Sequence, residues 1–114
     1  MKKLVVYHCS PSHRRSSIRR HGLLPLQARV THTKPSRFLC FALRPDIAWR
    51  MSAGTGWARA KLFDMWEVTL LSSDRARIDP QHDSREVRVT HRIPPKRLRI
   101  VFQDIPTVPS PVAS

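Results

Sequence analysis

The chain has 114 residues, enough for one domain with a single core and too few for two. Apolar residues make up 40% and charged residues 25%, which excludes a largely disordered chain and makes a folded domain the expectation. Lysine and arginine number 21 against 8 aspartates and glutamates, a net charge of +13 that favours a phosphate-rich partner such as RNA, DNA or a nucleotide.

Leu4 to Tyr7 is an apolar, partly β-branched run and predicts a buried strand. The apolar stretch ahead of His8 is too brief for a signal peptide or a membrane span, so no membrane association is expected. Ser10 offers a helix-capping hydroxyl and Pro11 suits a first helical position, which predicts a helix from about Pro11 to His21, ended by Gly22. Strand ends and helix starts present unpaired backbone donors, so His8, at this junction, is the first candidate site residue. Ile18 is almost the only large apolar residue of the helix. Arg14, Arg15, Arg19 and Arg20 make it a basic surface helix and candidate contacts for nucleic acid.

Leu23, Leu24 and Leu26 around Pro25 are expected to return the chain to the core. Gln27 to Ser36 lacks apolar periodicity and predicts a mobile basic loop. Arg37 to Leu43 is nearly continuously apolar and predicts a strand covered on both faces. Pro45 and Gly54 bracket a short helix containing Ile47, Ala48, Trp49 and Met51. Gly54 to Lys61 predicts a second loop, with Trp57 in it. Met65 to Leu71 predicts a strand, Ser72 to Ser84 a turn-rich stretch, Glu86 to Thr90 a half-buried strand and Leu98 to Phe102 the last strand. Pro106, Pro109 and Pro111 mark residues 104–114 as a disordered tail after a single domain over 1–103.

Cys9 and Cys40 form neither a zinc pattern nor a disulfide framework, which points to a reducing, cytoplasmic setting. They are read as small buried residues, since no histidine and asparagine at informative spacing support a thiol nucleophile. None of the six histidines is paired at ligand spacing on one predicted element, so no metal is expected.

Tyr7-His8-Cys9-Ser10, followed by Ile18 to Gly22-Leu23 and Pro25, resembles the opening of the ADP-ribosyltransferase superfamily. Phe38-Leu39 with Pro45 to Ala48, and Glu86-Val87-Arg88-Val89 before Ile93-Pro94-Pro95 and Leu98, are similar to the family's later motifs, in the same order over residues 4 to 101. Two branches are most similar, the DNA-targeting toxins and the RNA 2′-phosphotransferases. The resemblance implies an α+β fold, a small split, mixed β-sheet with short flanking helices, and NAD bound in the cleft between its halves.

The resemblance also implies roles. Glu86, among Arg85, Arg88 and Arg92, would be the catalytic carboxylate that stabilises positive charge developing on the nicotinamide ribose. His8 would hydrogen-bond a ribose hydroxyl, with Ser10 beside it. Phe38 or Phe41 would stack on the nicotinamide ring, where most relatives place a tyrosine. Arg37, with Arg14, Arg15 and Arg44, would offer guanidinium groups to the pyrophosphate or to an acceptor backbone. The expected function is NAD-dependent ADP-ribosyl transfer to a nucleic acid or a nucleic-acid-associated protein. The alternative is a catalytically inactive basic module of the same fold that binds nucleic acid or inhibits a partner protein.

Overall fold

The apolar run at the N-terminus forms the edge of one of two antiparallel sheets. The structure is a computed structural model that describes residues 3–25, 38–52, 61–78 and 86–107. Strand β1 is Leu4–Pro11, followed by a 3-10 turn at Ser12–Arg14 and helix α1 at Arg15–His21. Then come β2 (Leu39–Phe41), α2 (Pro45–Ser52), β3 (Leu62–Leu70), β4 (Arg77–Ile78), β5 (Val87–Val89) and β6 (Leu98–Pro106). One sheet has the order β1-β3-β6 and the other β2-β5-β4. The result is a small α+β domain with few helices. No helix among the described residues is long and apolar enough to cross a membrane.

Every strand pair among the described residues is antiparallel, where a mixed sheet was expected. The sheets touch where Tyr7 and Ala42 exchange backbone hydrogen bonds of 2.8 and 3.0 Å. In β1 the register Val6↔Val68, His8↔Trp66 and Ser10↔Asp64 sets these residues on one face. Ile18, Leu23, Leu39, Phe41, Val87 and Val89 cover that face. Cys9, Phe63 and Met65 lie on the other, under Ala48 of α2, with Trp49 edge-on to Phe63 at 5.9 Å. Helices α1 and α2 thus lie on opposite faces of the first sheet.

Several boundaries differ from the sequence expectation, each for a physical reason. Pro11 closes β1 instead of opening a helix, because the pairing with β3 continues through Pro11↔Phe63. A strand end at the sheet edge tolerates the missing N–H. The helix then starts only at Arg15. Strand β3 begins at Leu62 and includes Asp64, a residue poor in strand propensity, because that carboxylate is fully compensated. Ser12 Oγ donates to it at 2.8 Å, Arg15 donates through Nε and Nη2 at 2.8 Å each, and the Asp104 N–H donates at 2.9 Å. Strand β6 runs to Pro106, into the stretch expected as tail, by shifting register where Asp104 adopts a left-handed φ of 55°. The expected loops at Gln27 to Ser36 and over residues 54–60, and the tail over 108–114, lie outside the described residues.

A second buried carboxylate locks the opposite end of β3. Asp74 accepts from the Leu71 N–H at 2.6 Å, from both terminal nitrogens of Arg97, and pairs with His91 Nε2 at 2.7 Å. Burial acts to raise the pKa of both aspartates, and the hydrogen bonds taken together, from Arg15, the Asp104 N–H and Ser12 to Asp64 and from Arg97, the Leu71 N–H and His91 to Asp74, with the arginine charges, outweigh it and hold both below the usual carboxylate value. A depressed folded pKa gives stability that is complete above the unfolded value near pH ~4 and is lost as pH falls through the folded value. Asp64→Ala, which removes the acceptor shared by Ser12, Arg15 and the Asp104 N–H and leaves Arg15 with Asp104 alone, is expected to cost about 3 kcal/mol and to weaken the acid dependence below pH ~4, as urea melts across a pH series would show.

Candidate functional site

Towards the end of β1, still within its pairing with β3, the inward side chains change from apolar to polar. His8 and Ser10, with Arg14, Ser17 and Ile18 from the turn and α1, Gly22 to Leu24, and Leu39 of β2, line a cavity of about 70 Å³. Ile18, Leu23 and Leu39 are buried and form an apolar wall. The polar groups converge from β1 and from the start of α1.

His8 Nδ1 lies 3.4 Å from the Cys40 carbonyl oxygen. That oxygen can only accept, so Nδ1 carries the proton and Nε2 keeps its lone pair. The ring stands edge-on to Phe41 at 5.8 Å. Burial lowers the His8 pKa to about 4, the Cys40 contact opposes this, and the Arg14 charge adds to it. The imidazole is therefore neutral at neutral pH and presents an acceptor.

Ser10 is 4% exposed and its hydroxyl has no hydrogen-bond partner among the described residues. The helix-capping role expected for it is not taken up. A buried hydroxyl without a partner is costly, and this one lines the cavity beside His8. Arg14 is exposed at the same cavity. A neutral acceptor, an open hydroxyl and a guanidinium over an apolar wall suit a ligand with hydroxyl groups next to an anion.

A second cluster forms on the outward side of β2 and β5. Cys40 pairs with Arg88 in register, and Glu86 lies two residues before Arg88. The Cys40 thiol donates to Glu86, Arg88 Nη2 lies 3.3 Å from Glu86 Oε2, and the Arg88 guanidinium sits 4.5 Å over the Phe38 ring. The Glu86 side chain is 15% exposed. Burial, then the hydrogen bond to Glu86, pushes the Cys40 thiol up to about 12, so it is not a nucleophile at neutral pH.

The sequence-derived site residues thus fall into two groups joined by Cys40, whose carbonyl meets His8 and whose thiol meets Glu86. His8, Ser10 and Arg14 share the cavity, and Phe38 and Glu86 share the second cluster. Phe41 is 1% exposed and belongs to the core, so it offers no free face for stacking. Arg15 is committed to Asp64 and, at 2.6 Å, to Asp104, and anchors α1. Arg19 and Arg20 are exposed, and Arg37 lies outside the described residues. Cys40 was missed as an organising residue because a continuous apolar run conceals which of its side chains point outward.

Two measurements check this geometry. In a proton-titration series by NMR, His8 is expected to titrate near pH 4, below the ordinary histidine value near ~6.5. The unfolded chain then binds the extra proton between these values, so His8 makes stability fall as pH drops from ~6.5 towards 4. Ser10→Ala is expected to leave stability unchanged or raise it by up to about 1 kcal/mol in thermal melts, since it removes an unpartnered buried hydroxyl. No protein-family model matches the chain and a search of curated proteins returns no significant match, so its function is argued from this geometry and from the motif resemblance.

Proposed function

We propose that this chain binds NAD, cleaves its bond to nicotinamide and transfers ADP-ribose to a nucleic acid or a nucleic-acid-associated protein. The observation that carries the proposal is the His8 and Ser10 pair, a neutral acceptor and an unpartnered hydroxyl lining one cavity beside an arginine. The ordered motif resemblance over residues 4 to 101 and the α+β arrangement of two small sheets support the same assignment. A cavity of about 70 Å³ takes the hydroxyl edge of a sugar and leaves the rest of a dinucleotide to the surrounding surface.

When bound, NAD supplies a ribosyl group whose bond to a cationic ring breaks with positive charge building on the sugar. His8 Nε2 accepts from a ribose hydroxyl, and the Ser10 hydroxyl completes its missing hydrogen bond on the same sugar. Arg14 faces a phosphate from the cavity rim. Glu86, held by Cys40 and Arg88 on the outward side of β2 and β5 and outside the cavity lining, is the carboxylate to which the motif resemblance would assign the charge on the sugar. Phe38 offers a ring face once Arg88 swings off it.

One observation favours the binding-only alternative. Arg88 already fills, with an internal planar cation, the place between Phe38 and Glu86 that a nicotinamide ring would take. Incubation with labelled NAD and DNA, RNA or protein acceptors separates the two, since only a transferase moves label. Glu86→Gln is expected to lower transfer about 100-fold or more with near-normal folding. His8→Ala is expected to weaken NAD binding about 5- to 30-fold by calorimetry, through one or two hydrogen bonds of about 1 kcal/mol each. Equal rates in the first case, or equal affinities in the second, would refute the assigned role.

A further inference from the structure

Every carboxylate among the described residues carries an arginine. Asp46 has Arg44 and Arg50, Asp64 and Asp104 share Arg15, and Glu67, Asp74 and Glu86 hold Arg99, Arg97 and Arg88. The remaining cations have no carboxylate partner among the described residues, and several belong to two segments that are bound to each other. Arg19 and Arg20 are exposed on α1, whose C-terminal turn is bound to the Arg92 to Lys96 segment. Leu23 and Ile93 exchange two backbone hydrogen bonds of 3.0 Å, and Arg92 Nε donates to the His21 carbonyl at 2.7 Å. Gly22 makes this approach feasible, because a Cβ there would meet the Ile93 carbonyl oxygen at 2.0 Å.

The Leu23 and Ile93 pairing and the Arg92 bond to His21 thus bring the segment carrying Arg92 and Lys96 against the end of the helix that carries Arg19 and Arg20, and Arg14, in the turn before that helix, lines the cavity. Of Arg19, Arg20, Arg92 and Lys96, none has an ion-pair partner among the described residues. The exposed large apolar residues among the described ones, Val5, Leu62, Ile78 and Phe102, belong to β1, β3, β4 and β6, and none lies in α1 or in the Arg92 to Lys96 segment. The α2 face of the first sheet differs, since Arg44 and Arg50 are both held by Asp46.

We propose that the α1 and Arg92 to Lys96 ridge is the docking surface for a nucleic acid, gripped through its phosphodiester backbone without regard to sequence, and that it delivers the strand to the adjacent cavity. Charge complementarity is the basis of the choice: a polyanion of regularly spaced phosphates matches exposed guanidinium and ammonium groups that have no carboxylate partner among the described residues, and phosphate contacts carry no sequence information. The delivery step rests on the proposed transfer reaction, whereas the docking step does not.

The test is anisotropy of labelled DNA and RNA oligonucleotides of unrelated sequences, single-stranded and duplex, with the full chain and without NAD, over a salt series. With about four contacts the slope of log affinity against log salt is expected to be roughly −3 to −4, alike across sequences. Arg20→Gln with Lys96→Gln should weaken binding at least tenfold at low salt and flatten the slope by about 2 units. Arg50→Gln with Arg99→Gln removes the same charge from arginines held by Asp46 and Glu67 and should change affinity by less than about twofold. Equal effects of the two pairs, no salt-dependent binding, or equal competition by polyglutamate or anionic lipid vesicles at matched charge would each overturn the proposal. Intact binding with no label transfer would instead refute the transferase assignment alone.

Discussion

The buried Asp64 carboxylate is the constraint on which the cavity depends. It is 0% exposed in the first sheet, opposite Ser10, and such a charge is tolerable only when its hydrogen-bonding capacity is met. Its donors come from three places: Ser12 in the turn after β1, Arg15 at the start of α1, and the backbone of Asp104 in β6. Satisfying one carboxylate therefore fixes where the helix starts and how it is rotated. With Arg15 turned to Asp64 and Ile18 into the core, Arg14 and Ser17 are carried towards the cavity. Asp74 does the equivalent work at the far end of β3, joining the turn after that strand to Arg97 in the segment before β6.

Local patterning made much of the framework legible. Alternation in Glu86 to Thr90 gave β5, and proline at the first turn with the apolar spacing of Ile47 and Ala48 gave α2. Boundaries failed where a long-range partner overrode a local signal. Ser10-Pro11 has the chemistry of a helix start, yet strand pairing with Asp64 and Phe63 takes both residues. Asp64 and Asp104 look like strand breakers, and neither compensation by Arg15 nor a left-handed turn inside β6 can be read from their neighbours in sequence.

For the candidate site, His8 and Ser10 stand out in the sequence as a polar pair at the end of an apolar run, and both line one cavity while remaining largely buried. Their neighbours were not. The cavity is completed by Ser17, Leu24 and Leu39, which follow from the docking of α1 and β2 against β1. Arg15 and Arg14 are adjacent and identical in type, but only their rotation about the helix separates an anchor from a cavity residue. Cys40 acquires its role from register alone, facing Arg88 across the ladder while its carbonyl reaches His8. Its raised pKa follows from that placement, since a thiol hydrogen-bonded to a carboxylate in a poorly solvated spot gains nothing by ionising.

The distribution of charge extends this logic from the site to the surface. An excess of cations destabilises a compact state through self-repulsion, so a small domain with net charge +13 carries a burden that its fold does not require. Among the described residues each carboxylate holds at least one arginine, and Arg92 is tied to the fold through the His21 carbonyl instead. The unassigned ones beside α1 are crowded by backbone hydrogen bonding between Leu23 and Ile93, which brings Arg92 to the end of a helix that already carries Arg19 and Arg20. The carbonyl end of that helix eases the repulsion slightly, because its dipole favours cations in the last turn. It cannot neutralise them, and a surface that keeps this repulsion in the free protein releases it when a polyanion binds.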